Sequence, residues 1–132
     1  MKYIIEIVVF CISLIYIDCA KRPQVTLKEF DIKTPEGLFN EGKYYLKNKN
    51  FEYALRSFYT LVEDFPTDSL ADDAQFLIAE ILANPKNPNF NIREAISEYE
   101  NLIKSHSESP LVPKAKKQLA KLQKLNESNQ KR

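Results

Sequence analysis

The sequence has few of the residues on which common catalytic, nucleotide-binding and metal sites depend. Its 132 residues include two glycines, two cysteines, one histidine and no tryptophan. Two glycines are too few for a glycine-rich phosphate loop, and a zinc site needs a cluster of cysteine and histidine ligands. The formal net charge of +1 gives no general attraction to nucleic acid. We therefore expect no enzyme activity, no cofactor, no bound metal and no nucleic-acid partner.

Both cysteines lie at the start of the chain, in or directly after an apolar run. The segment from Ile7 to Ile17 reads IVVFCISLIYI, contains Cys11, and is followed by Asp18 and Cys19. Its eleven residues suit the core of a signal peptide and fall short of the roughly 20 that span a bilayer. An apolar run that stops at a cysteine resembles the lipobox of bacterial lipoproteins. This resemblance implies a signal peptide over residues 1–18 and a lipid on Cys19, the first mature residue.

Two other interpretations of this start remain open. The lipobox usually has a small residue before the cysteine, whereas Asp18 stands here, and Tyr16 replaces its leucine. The run could instead be an uncleaved signal anchor, or the first helix of a cytosolic chain, although exposing it to water would favour aggregation. Residues 19–34 contain Pro23 and show no clear period, so we interpret them as a lipidated tether reaching roughly 20 Å from the membrane.

Residues 35–125 carry the pattern of a helical repeat. Gly42, Tyr45, Ala54, Phe58 and Pro66 follow the order G-x-x-Y…A-x-x-x-F…P. These are the offsets of the tetratricopeptide repeat (TPR), whose period is about 34 residues. Small residues at Gly42 and Ala54 would let two antiparallel helices approach closely, and Pro66 would end the second helix.

Part of this pattern recurs after 41 residues. The shift places Ala54 on Ala95, Phe58 on Tyr99, Leu61 on Leu102, Leu70 on Leu111 and Ala74 on Ala115. Helical hairpins that recur at such a period stack into an α-solenoid, although a helical bundle with coincidental spacing is an alternative.

The sequence therefore predicts an all-α, TPR-like solenoid of about five helices after the signal peptide. Two hairpins and a capping helix are expected near residues 35–47, 51–64, 70–83, 92–105 and 110–125, followed by a polar tail at 126–132. The predicted helix N-caps are Thr34, Ser69, Asn91 and Ser109.

Candidate partner-binding residues lie on the first helix of each pair, which lines the concave groove in TPR hairpins. Phe39, Lys43, Leu46 and Lys47 are the candidates on the first helix, and Phe76 and Glu80 those on the third. The two phenylalanines could equally be ordinary core. On the fifth helix a basic stripe is formed by Lys114, Lys117, Lys121 and Lys124. Such a stripe could steer an acidic partner or be a solvated face.

A lipobox-like start, a tether and tandem TPRs together resemble BamD, the lipoprotein of the outer-membrane β-barrel assembly machine. The stretches NKNFEYALRSFYTLVEDFPTDSLADDAQFLIAE and REAISEYENLIKSHSESPLVPKA look like that family's first two repeats. The resemblance covers residues 36–125 and implies a lipid-anchored scaffold on the periplasmic face of the outer membrane. It also implies two partners, a BamA-like barrel protein with POTRA domains and unfolded outer-membrane proteins.

Two alternatives to a barrel-assembly role stay open. The BamD family usually has more repeats than the two and a half present here, and the periplasmic TPR protein of the Tol–Pal system has similar ones. The chain could thus be an envelope-integrity scaffold of the Tol–Pal or peptidoglycan kind. A small hydrolase or ligand-binding lipoprotein would need a polar pocket, for instance around His106, which aligns with Phe65 across the repeat.

Lipidation can be tested by replacing Cys19. The Cys19→Ala variant should lose incorporation of a labelled fatty acid and move into the soluble fraction, because the thiol that carries the lipid is gone. Cys11→Ala is the matched control, since Cys11 would leave with the signal peptide. Membrane association of Cys19→Ala without lipid label would contradict the lipoprotein interpretation and favour an uncleaved anchor.

Overall fold

The computed structural model describes residues 30–131, which form five α-helices and no β-strand. The helices are α1 (Pro35–Lys47), α2 (Phe51–Asp64), α3 (Ala71–Leu82), α4 (Ile92–Ser105) and α5 (Val112–Gln130). Each helix packs mainly on its neighbours in the sequence, as expected of a solenoid. The prediction of an all-α, TPR-like solenoid of about five helices is therefore confirmed. The predicted signal peptide, Cys19 and the part of the predicted tether up to residue 29 lie outside the described residues.

The helix N-termini follow local sequence signals. The Thr34 hydroxyl accepts a hydrogen bond from the Gly37 N–H at 3.1 Å, and the Asn91 amide oxygen accepts one from the Glu94 N–H at 3.2 Å. The predicted caps at Thr34 and Asn91 are therefore confirmed. The predicted Ser69 and Ser109 caps are wrong, because Leu70 and Leu111 occupy the N-cap positions of α3 and α5 and neither helix has a side-chain cap bond.

The last helix differs from its predicted bounds at both ends. Pro110 and Leu111 form a turn, and α5 begins at Val112 with Pro113 in its first turn. At the other end the helix continues to Gln130 rather than stopping at residue 125, so most of the predicted polar tail is helical. Within residues 30–131, none of the helices is both long and apolar enough to cross a membrane.

The contact between α1 and α2 depends on a glycine. A Cβ atom added to Gly42 would lie 2.5 Å from the Phe58 ring, far closer than real Cβ contacts. Phe58 and Ala54 are both fully buried, with 0% of their surface exposed. The helices can therefore cross at this distance only while residue 42 has no side chain.

The helices α4 and α5 repeat the buried positions of α2 and α3, as the 41-residue shift predicted. The side chains of Ala95, Leu102 and Ala115 are fully buried, and 1% of Tyr99 is exposed. Phe65 ends α2 with φ −131° and ψ 55°, and His106 ends α4 with φ −123° and ψ 51°. The backbone thus leaves both helices in the same conformation, which makes His106 the structural equivalent of Phe65.

We predict that Ala54→Asp unfolds or severely destabilises the domain. A carboxylate at this fully buried position would meet apolar side chains and lose its hydration, which costs about 3 kcal/mol or more. Ala120→Asp is the matched control, because Ala120 lies on the exposed face of α5. Urea unfolding followed by circular dichroism measures both free energies of unfolding. A native-like midpoint for Ala54→Asp would contradict the repeat alignment.

Candidate binding groove

The first helix of each repeat contributes to one groove on the molecular surface. Its volume is about 480 Å³, and it is lined from three helices and the turn before α5. The lining residues are Phe39, Lys43, Leu46 and Lys47 of α1; Asp73, Phe76, Leu77 and Glu80 of α3; Leu111 of the turn before α5; and Lys114 of α5. The structure thus brings together seven of the predicted partner-binding residues: Phe39, Lys43, Leu46, Lys47, Phe76, Glu80 and Lys114. We refer to this surface as the α1–α3–α5 groove.

Two phenylalanines form the floor of the α1–α3–α5 groove. Phe39 is half-buried, and its ring centroid lies 5.8 Å from that of Phe58. Phe76 is only 3% exposed and packs edge-on against the Tyr99 ring at 5.5 Å. Phe76 therefore belongs to the core as well as to the groove, whereas Phe39 can offer part of its ring to a ligand.

A lysine lies over each of these rings. The Lys114 ammonium is 4.2 Å from the centroid of Phe76, and the Lys43 ammonium is 5.4 Å from that of Phe39. Both distances are within the range of cation–π attraction. Lys114 also forms an ion pair with Glu80 at 3.5 Å. The rim of the groove is consequently basic and the floor aromatic, with Lys114 joining α5 to α3 across it.

The groove also contains two carboxylates that the lysines partly neutralise. Burial and the neighbouring Asp72 raise the pKa of Asp73, while the positive charge of Lys43 lowers it. Burial, followed by the charge of Glu80, raises the pKa of the Tyr99 phenol above its usual range. With Asp73 and Glu80 facing Lys43, Lys47 and Lys114, the charged groups of the groove carry a small positive excess.

The remaining lysines of the predicted stripe do not share this groove. Lys121 lines a separate depression of about 360 Å³ together with Glu80, Tyr99 and Leu122. Lys117 and Lys124 are exposed on α5. The stripe is therefore divided, and only its first member, Lys114, meets the candidates on α1 and α3.

Sequence reasoning missed a partly buried polar cluster that joins α2, α3 and α4. The Glu98 carboxylate of α4 accepts hydrogen bonds from the Tyr59 hydroxyl of α2, at 2.9 Å, and from the Gln75 amide of α3. Burial, then Glu98, raises the pKa of Tyr59, which keeps this phenol protonated as a donor. No sequence pattern predicted these hydrogen bonds, because each helix contributes one polar residue. Whether the three side chains come together depends on how each helix is rotated about its axis.

The surroundings of His106 are polar but do not form an evident reactive site. The imidazole lies beside a depression of about 400 Å³ that is lined mainly by serines and acidic residues, including Asp72 and Ser109. The Ser109 hydroxyl donates to the Asp72 carboxylate, which ties α3 to the turn before α5. Among residues 30–131, no group of three or more histidine, cysteine, aspartate or glutamate residues could hold a metal ion.

The proximity of Lys43 and Asp73 can be tested by titration. In Lys43→Met the pKa of the Asp73 carboxyl should rise above its value in the parent protein, because the charge that lowers it has been removed. The Lys104→Met variant is the control, since Lys104 lies exposed on α4, away from the groove lining. NMR titration of the carboxyl carbons measures both values. An unchanged pKa in Lys43→Met would show that the two side chains do not face each other.

Comparisons with known proteins identified no related protein. No protein-family model, no curated protein sequence and no solved structure matches the chain.

Proposed function

We propose that the chain is a lipid-anchored periplasmic TPR scaffold of the outer-membrane β-barrel assembly machinery. The observation that carries this proposal is the α1–α3–α5 groove, in which alternate helices present one continuous surface. The scaffold binds a POTRA-containing barrel protein, unfolded barrel substrates, or both. It has no catalytic role, and Cys19 holds it on the periplasmic face of the outer membrane.

The shape of the groove favours an extended segment as the bound element. Its floor is apolar, with Phe39, Leu46, Leu77 and Leu111 partly accessible, and its volume of about 480 Å³ accommodates a few side chains rather than a folded domain. An unfolded barrel strand or a loop of a partner domain supplies apolar side chains on one of its faces. Such side chains bury apolar area in the groove, which provides most of the affinity.

The lysines at the rim add selectivity to this binding. Lys43 and Lys47 lie one turn apart on α1, and Lys114 lies across the groove on α5. A carboxylate that follows an apolar side chain in the bound segment would meet this rim. Exposed charges contribute little to affinity but increase association rates and make binding sensitive to salt.

The experiment that tests the proposal is affinity purification of the tagged, full-length protein from membranes in mild detergent. We expect a barrel protein with POTRA domains to be recovered in stoichiometric amounts. Its recovery should fall in the double variant Lys43→Glu, Lys47→Glu, because two carboxylates at the rim would repel a carboxylate of the bound segment, and like charges placed together oppose binding more than the loss of an exposed cation does. The matched control is Lys86→Glu, Lys104→Glu, which changes the net charge equally at exposed positions outside the groove.

Each outcome distinguishes between the candidate functions. Recovery of Tol-type or peptidoglycan-associated proteins without a POTRA protein would contradict the proposal and favour an envelope-integrity scaffold. Equal recovery of the POTRA protein by the groove variant and its control would retain barrel assembly but exclude the groove as the binding surface. Circular dichroism of each variant verifies that the helices remain folded.

A further inference from the structure

The outer face of the first hairpin carries a second groove, distinct from the α1–α3–α5 groove. It has a volume of about 340 Å³ and lies between α1 and α2. Its lining includes Ile32, Leu38, Glu41, Tyr45, Tyr53 and Arg56. This is the end of the solenoid at which a preceding repeat would stack, so we call it the N-terminal end groove.

Aromatic and aliphatic side chains are concentrated at this end. Ring contacts run from Phe30 to Tyr44 at 5.6 Å, on to Tyr45 at 5.6 Å, and from there to Tyr53 at 5.1 Å. Within residues 30–131, three of the five exposed large apolar side chains lie here: Ile32 at 57%, Tyr44 at 38% and Tyr53 at 47%. Terminal repeats of solenoids normally present a polar outer face. The apolar character of this end therefore indicates that another element covers it.

The chain itself enters the domain along this groove. Ile32 lines the groove directly, and the Thr34 N–H and hydroxyl both donate to the Asp31 carbonyl, at 3.1 and 3.0 Å. A Cβ atom on Gly37 would lie 1.6 Å from the same carbonyl oxygen, so the close approach of residue 31 to α1 requires glycine. These contacts place Phe30, the first described residue, at the edge of the groove.

The residues directly upstream match the groove in pattern and charge. The sequence from Gln24 to Glu29 reads QVTLKE, in which Val25 and Leu27 are two residues apart. In an extended conformation such residues face the same side. The following Lys28 and Glu29 carry one charge of each sign, as do Glu41 and Arg56 in the groove lining.

We propose that residues 24–29 bind in the N-terminal end groove as an extended segment and complete the solenoid at that end. Six extended residues reach roughly 20 Å, whereas the stretch of α2 from Tyr53 to Thr60 rises about 10 Å, so the segment is long enough. Val25 and Leu27 pack on Tyr45 and Tyr53. Because the segment is covalently attached next to the groove, its effective concentration there exceeds that of a second copy or another partner.

This inference goes beyond the proposed scaffold role, and it does not depend on the identity of the partner or on lipidation. It has a consequence for the anchored protein, which does rest on the lipid proposed at Cys19. With residues 24–29 on the domain, only residues 20–23 separate the anchor from the folded part. The α1–α3–α5 groove is then held in a defined orientation close to the membrane, rather than at the end of a longer tether.

The test places a benzophenone photo-cross-linker at Tyr53 in the full-length protein, in detergent, and identifies its targets by mass spectrometry. We expect cross-links within one chain to residues 24–29. The same cross-linker at Phe90 is the matched control, because Phe90 is similarly exposed, at 40%, in the loop before α4. It should give no cross-link to residues 24–29.

Substitutions within residues 24–29 test whether Leu27 packs in the groove. Leu27→Asp should reduce the Tyr53 cross-link several-fold, because a carboxylate would enter an aromatic groove, whereas Thr26→Asp should leave it unchanged. Cross-linked dimers would overturn the proposal and identify a second copy as the occupant. Cross-links to another protein, no cross-link at all, or equal effects of the two substitutions would also overturn it.

Discussion

The close contact between Gly42 and the Phe58 ring is the constraint on which the rest of the structure depends. A single methyl group at residue 42 would come within 2.5 Å of that ring. The contact sets the separation of α1 and α2, and thereby the direction in which α3 can pack on the first hairpin. Tyr99 and Ala95 provide the equivalent buried contacts in the second hairpin, so the same stacking is repeated along the chain.

The α1–α3–α5 groove follows from this stacking. When hairpins repeat in the same orientation, their first helices lie side by side and their second helices form the opposite face. Residues far apart in the sequence, such as Lys43 and Lys114, then line one surface. The partly buried cluster of Tyr59, Gln75 and Glu98 joins three successive helices and so holds the repeats in register. Removing the Glu98 carboxylate would leave the buried Gln75 amide without this acceptor, which would weaken the packing of these three helices.

Much of the fold could be predicted from the sequence, because small residues, aromatic residues and helix breakers recur at fixed offsets. The Thr34 and Asn91 caps and the equivalence of Phe65 and His106 follow from such local patterns. The end of α5 was less predictable, since its polar last residues show little hydrophobic periodicity.

The groove was predictable only in part. Periodicity identified Phe39 and Lys43, but not Asp73, Leu77 or Leu111, and it did not separate Lys114 from the other lysines of α5. Those assignments depend on the rotation of each helix about its axis and on its crossing angle with the next helix. Sequence spacing within one helix contains neither quantity. The pairing of Lys114 with Glu80 and Phe76 is therefore known only from the three-dimensional arrangement.

The central claim is that partners bind where alternate helices meet, and hydrogen exchange tests it most directly. Amide exchange of the full-length protein would be followed by mass spectrometry, with and without purified POTRA domains or an unfolded barrel peptide. The account predicts added protection in α1, α3 and the start of α5, with little change in α2 and α4. Protection confined to α2 and α4, or no change with either partner, would contradict it.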